Sequence, residues 1–181
     1  RIDLMLIIPG IVISVFTFPG VIMHEMAHQL FCRLLKVPVF DVRYFQFKNP
    51  SGYVIHEIPK KPWQNILIGI GPFILNTVVG ALIGSAASIP VFKFNSPDFF
   101  DIILIWLGIS IAMHSFPSVG DAANIWKSVK HPDTPILVKI LATPLVGLIY
   151  LCAIGSVVWL DFLYGMAVAL LIPNILVSLI A

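Results

Sequence analysis

Charge is scarce in this chain. Only 11% of its 181 residues are Asp, Glu, Lys or Arg, against about a quarter in a typical soluble domain. A soluble enzyme or a nucleic-acid-binding domain is therefore excluded, and the formal net charge of +2 offers nothing to a polyanion. Glutamate occurs twice, as Glu25 and Glu57, and cysteine twice, as Cys32 and Cys152. The cysteines lie in apolar stretches and form no Cys-x-x-Cys pair, so no disulfide framework is expected. An Ala-x-Ala-like cleavage site is also missing after the first apolar stretch, which is read as retained membrane structure rather than a signal peptide. The chain opens on Arg1 rather than Met, which suggests a fragment of a longer protein.

Apolar residues are abundant instead, at 59% of the chain. Since one crossing consumes about 20 apolar residues, the expectation is an all-α polytopic membrane protein. It would be a single domain over residues 1–181, a bundle of about five to six transmembrane helices with a small membrane-associated β-hairpin. The first apolar run covers residues 4–32 and contains Pro9-Gly10 and Pro19-Gly20, so a kink or a break into two helices is expected there. Further spans are expected at 63–89 and 99–117, with about two more within 134–181.

Residues 33–62 read as a hairpin rather than a span. Phe40, Val42 and Tyr44 alternate with Asp41 and Arg43, Asn49-Pro50-Ser51-Gly52 has turn chemistry, and Tyr53-Val54-Ile55 resumes an extended pattern. This segment holds six of the eleven basic residues: Arg33, Lys36, Arg43, Lys48, Lys60 and Lys61. Lys127, Lys130 and Lys139 cluster around the 118–133 connection. By the positive-inside tendency both segments face the cytoplasm, and the protein is expected as a multi-pass component of a prokaryotic cell membrane.

Within the first apolar run stands His24-Glu25-Met26-Ala27-His28. Two imidazoles four residues apart project from one helix face and can chelate zinc, and Glu25, about 100° around the helix from His24, can act as base toward water at the metal. Ionisable groups in a span are costly and need a compensating role. A catalytic zinc site usually takes a third protein ligand. Glu57 is the one glutamate after the motif and sits in the hairpin; Asp98 and Asp101 fall on the outward side, Asp161 near the far end of the fourth span, and Asp133 reads as a cap for a helix beginning near Pro135. Asp121 follows the inward end of the third span, on the same side as His28, and is the favoured third ligand; its competing reading is a helix cap for residues 122–130. His114 is the alternative ligand. Asn76 faces the bundle interior or the site, binding substrate backbone or tying two helices. Gly71, Gly80 and Gly84 are expected to allow close helix packing.

The sequence resembles the site-two-protease-type intramembrane zinc metalloproteases. The residues concerned are His24-Glu25-x-x-His28 in a span, the hairpin-like segment after it, Gly71-Pro72 with Asn76 in the next core span, and a Pro-containing turn leading to Asp121. Gly120 precedes Asp121 where that family has a Gly after it, and Asn76 comes one residue late, which suggests a distant branch. The resemblance implies zinc bound by the two His and the Asp, a catalytic Glu, and a hairpin that dips into the membrane beside the site. The expected activity is a zinc-dependent endopeptidase that cleaves a transmembrane or membrane-anchored protein near the cytoplasmic side, with the lipid bilayer as its setting. The alternative is a non-proteolytic transporter using His24, Glu25 and His28 as a metal or proton relay. A third reading is a membrane-embedded peptidase acting on soluble segments.

Overall fold

A computed structural model describes residues 10–180. Pro9 and the rest of the first expected run before Gly10 lie outside the described residues. The remainder of that run divides into α1, Gly10–Phe16, and α2, Phe18–Leu34, which meet at 89°. The expected break thus occurs, at Thr17. Pro19 stands in the first turn of α2, where a missing N–H removes no helical hydrogen bond. The Thr17 hydroxyl donates to the Ile13 carbonyl at 2.7 Å, and the Trp106 indole donates to the Phe16 carbonyl at 3.1 Å.

Helix α2 ends in a Schellman turn: Lys36 takes a left-handed φ of 57°, with Val37 N–H bonded to the Cys32 carbonyl at 2.8 Å and Lys36 N–H to that of Arg33 at 3.1 Å. The hairpin follows as expected. Strands β1, Val39–Arg43, and β2, Tyr53–His56, pair antiparallel with Arg43 opposite Tyr53 and Val42 opposite Val54, and the register shifts between Asp41 and Val39.

Helix α3, Pro62–Ser88, is the central element and packs on α2, on α4 (Phe99–Met113) and on α5 (Val119–Lys130). A π-helical turn, Ile89–Lys93, extends it. Helix α6 spans Ile136–Gly155, and α7, Leu160–Met166, runs through a second π-helical turn into α8, Ile172–Ile180. Among the described residues, two helical stretches, Pro62–Lys93 and Ile136–Gly155, are long and apolar enough to cross a membrane, or three if the bent α1–α2 pair is one span. The expectation of five to six spans is therefore not met by length. The run at 99–117 stops as a helix at Met113, where His114 caps it. Its 15 residues rise about 22 Å, short of a hydrocarbon core of about 30 Å.

Two clusters fix the parts that carry the chemistry. Cys32, Val37 and Ile68 lock the end of α2 onto α3. Ile66 of α3, Ala122, Ile125 and Val129 of α5, and Val146 and Ile149 of α6 hold the start of α5 in place. Elsewhere helices meet through small residues. Gly71 abuts Phe31, Gly80 abuts Ala112 and Gly108, and Gly84 abuts the backbone of Ala169, which is the close packing expected of that span.

At Gly20 the approach of α2 to α4 is closest, since a Cβ there would lie 1.9 Å from the Ser110 carbonyl oxygen and 2.6 Å from the His114 ring. A Cβ on Gly147 would meet nothing within 4 Å. Gly20→Ala is expected to destabilise the protein by about 2–3 kcal/mol or more, with Gly147→Ala near neutral. Thermal unfolding of both variants in detergent checks this.

Candidate metal centre

The 3.6-residue period puts His24 and His28 on one face of α2, with their Nε2 atoms 3.2 Å apart. Each ring is held by its other nitrogen. His24 Nδ1–H donates to the His114 carbonyl at 2.7 Å, and His28 Nδ1–H donates to the Ile68 carbonyl at 3.0 Å. A carbonyl can only accept, so both Nδ1 atoms carry hydrogen and neutral rings present lone pairs at Nε2. Two lone pairs at that separation repel unless a proton or a metal ion lies between them.

Asp121 completes the cluster from α5. Its Oδ1 is 3.5 Å from His28 Nε2 and its Oδ2 is 3.8 Å from His24 Nε2. A tetrahedral zinc with bonds of 2.0–2.1 Å separates its donors by about 3.4 Å, and the separations of 3.2 Å between the two Nε2 atoms and 3.5 Å from His28 Nε2 to Asp121 Oδ1 bracket that value. His24, His28 and Asp121 could thus hold a metal ion, each offering one ligand atom and these atoms lying within 4.8 Å of one another.

The helix-cap reading of Asp121 is also realised, at a different position. Ser118 is the N-cap and Asp121 the third helical residue, in a reciprocal capping box. Asp121 Oδ2 accepts from Ser118 N–H at 2.8 Å and from its hydroxyl at 2.7 Å. One carboxylate oxygen is therefore occupied by the cap, and Oδ1 remains to serve as a single metal donor. Ser118 went unnoticed in the sequence, although Ser-x-x-Asp is a legible capping signal.

Glu25 is buried at 8% exposure and borders, with both histidines and Asp121, a cavity of about 500 Å³. The hairpin turn lines the same cavity, and its Gly52 lies so close that a Cβ there would sit 2.7 Å from Glu25 Cγ. Asp161, buried at the start of α7, borders the same cavity rather than a remote span end.

Three expectations need correction. His114, the alternative ligand, is outside the converging group: its Nε2 is 2.8 Å from the Thr17 hydroxyl, and it serves the site through its backbone carbonyl. Asn76 is fully buried and is not among the residues bordering the cavity; its amide donates to the His114 carbonyl at 3.1 Å. Asp133 pairs with His131 at 3.7 Å, and the N-cap of α6 is Pro135, without a side-chain cap. Cys32 is fully buried among apolar neighbours.

A helix bearing His-Glu-x-x-His, a third oxygen donor converging on both imidazoles and an acid in the adjoining cavity define a zincin, a zinc metallopeptidase. The chain belongs to the family described as "Putative zincin peptidase" (DUF3267), whose match covers residues 17–136, from the α1–α2 break to the start of α6. No curated protein and no solved structure matches the chain. Membership makes zinc the cofactor and peptide hydrolysis the class of reaction, a coarser assignment than the site-two-protease type.

Ser118→Ala removes the hydroxyl from Asp121 Oδ2, and a roughly tenfold or greater loss of zinc affinity is expected, along with about 1 kcal/mol of stability from the cap. Chelator competition and thermal unfolding measure the two effects, and Ser118→Thr should restore both.

Proposed function

We propose that the protein is an intramembrane endopeptidase of the site-two-protease type, hydrolysing a peptide bond of a transmembrane or membrane-anchored protein near the cytoplasmic side. One observation carries the reading: two imidazole lone pairs and a carboxylate oxygen converge beside a buried glutamate in a helix of an otherwise apolar run. His24, His28 and Asp121 hold the zinc, which when bound supplies Lewis acidity toward a carbonyl and toward water. Glu25 takes the proton from the attacking water and delivers it to the nitrogen of the departing amine, so that it ends the cycle as a carboxylate. The carbonyls of His114 and Ile68 keep both rings in one tautomer throughout.

A substrate helix must unwind first, because its peptide groups are hydrogen-bonded internally and freeing them in hydrocarbon is costly. The hairpin supports that step. Tyr53 and Val54 of β2 border the cavity, where a strand added to the hairpin would receive the freed N–H and C=O groups. The exposed apolar face of α6, including Leu137, Leu141, Leu148 and Leu151, supports a lipid setting, as does the basic character of the hairpin and α5 segments for their cytoplasmic side. Water reaches the site from that side, past the 118–133 connection.

The test compares zinc content and cleavage in wild type, Glu25→Gln, His24→Ala and Asp121→Asn, using a single-span membrane reporter and its soluble counterpart. Glu25→Gln should retain zinc and lose about 10²–10⁴-fold in rate, while the other two lose metal. Full activity in Glu25→Gln would falsify the mechanism. Cleavage of the soluble reporter alone would remove the intramembrane assignment and leave the peptidase.

A further inference from the structure

The middle of α3 is apolar apart from two neighbouring side chains, Asn76 and Thr77. Asn76 is at 0% exposure, its Oδ1 has no hydrogen-bond partner, and its Nδ2 donates to the His114 carbonyl at 3.1 Å, with the Gly20 carbonyl at 3.5 Å. A buried amide with its oxygen unserved calls for an explanation, and its donor half offers one. The acceptor it chooses is the oxygen that orients His24. The His114 carbonyl receives His24 Nδ1–H at 2.7 Å and Asn76 Nδ2 at 3.1 Å, so its two lone pairs have two donors. His114 caps the C-terminal end of α4, where a carbonyl has no partner further along the helix and its direction is set by what donates to it. The dipole of α4 leaves partial negative charge at this oxygen, which strengthens the donor capacity of Nε2 on the ring it holds.

We propose that Asn76 is a positioning residue for the metal. Through the His114 carbonyl it fixes the direction and strength of the hydrogen bond to His24, and so the aim of that ring's Nε2. This rests on His24 being a zinc ligand. The plain alternative is that Asn76 merely pins α2, α3 and the end of α4 together, as Thr77 pins α3 to the turn after α4 and to α7 through the Ser115 hydroxyl at 3.3 Å and the Tyr164 hydroxyl at 2.8 Å. The neighbouring residue therefore supplies the control.

Zinc affinity by chelator competition, the absorption spectrum of the cobalt-substituted protein and the unfolding temperature are to be measured on the full chain for wild type, Asn76→Leu and Thr77→Val. Asn76→Leu preserves volume and removes the donor. It should lose about 10- to 100-fold in zinc affinity and shift the cobalt spectrum, whereas Thr77→Val should lower the unfolding temperature and leave zinc affinity and spectrum as in wild type. If Asn76→Leu fails to fold, Asn76→Ser decides, since its hydroxyl ends one bond short of the amide nitrogen and should give the same loss. Wild-type affinity in a folded Asn76 variant, with only the unfolding temperature lowered, overturns the positioning role and leaves the zinc peptidase reading intact. Zinc binding absent from wild type overturns both.

Discussion

Two imidazole nitrogens whose lone pairs face each other across 3.2 Å, with a carboxylate at 3.5 Å from one of them, are the arrangement on which everything else in this molecule depends. Neutral rings would not stay in that geometry unaided. They are held by backbone carbonyls on two other helices, His114 at the end of α4 and Ile68 within α3, which engage the outer nitrogens and leave the inner ones to converge. A cation relieves the repulsion that the carbonyls enforce, so the metal and the helix packing support each other.

That packing in turn depends on small residues. The α4 carbonyl reaches His24 because Gly20 lets α2 lie almost on the α4 backbone. α5 delivers Asp121 because Ile125 and Val129 bury against α3 and α6, while the Ser118 cap sets which carboxylate oxygen remains for the ion. Gly52 performs a similar service beside Glu25, where the hairpin turn closes against it without displacing it. Of the buried polar side chains, Glu25, His28, His114 and Asp161 border the cavity, and Asn76 lies on the seam that holds it together.

Legibility followed locality. The metal-binding face of α2 is plain from its four-residue spacing, since a helix converts that interval into one side. The hairpin is equally plain, because alternation and turn residues are local signals, and the break in the first run was foreshadowed by its prolines, though Thr17 rather than a proline marks the corner. The span count was less legible. Hydropathy cannot distinguish a run that crosses from one that stops short, and His114 ended α4 where apolar composition suggested continuation.

The primary structure alone determined the zincin motif, the hairpin and the apolar character, because each is written within a few consecutive residues or in composition. Only the three-dimensional arrangement decided that Asp121 joins the histidine pair while His114 lends its carbonyl and Asn76 supports that carbonyl from behind. Those roles depend on which helices touch and at what distance. Contacts between residues about forty to a hundred positions apart arise from packing, of which no local pattern carries a record.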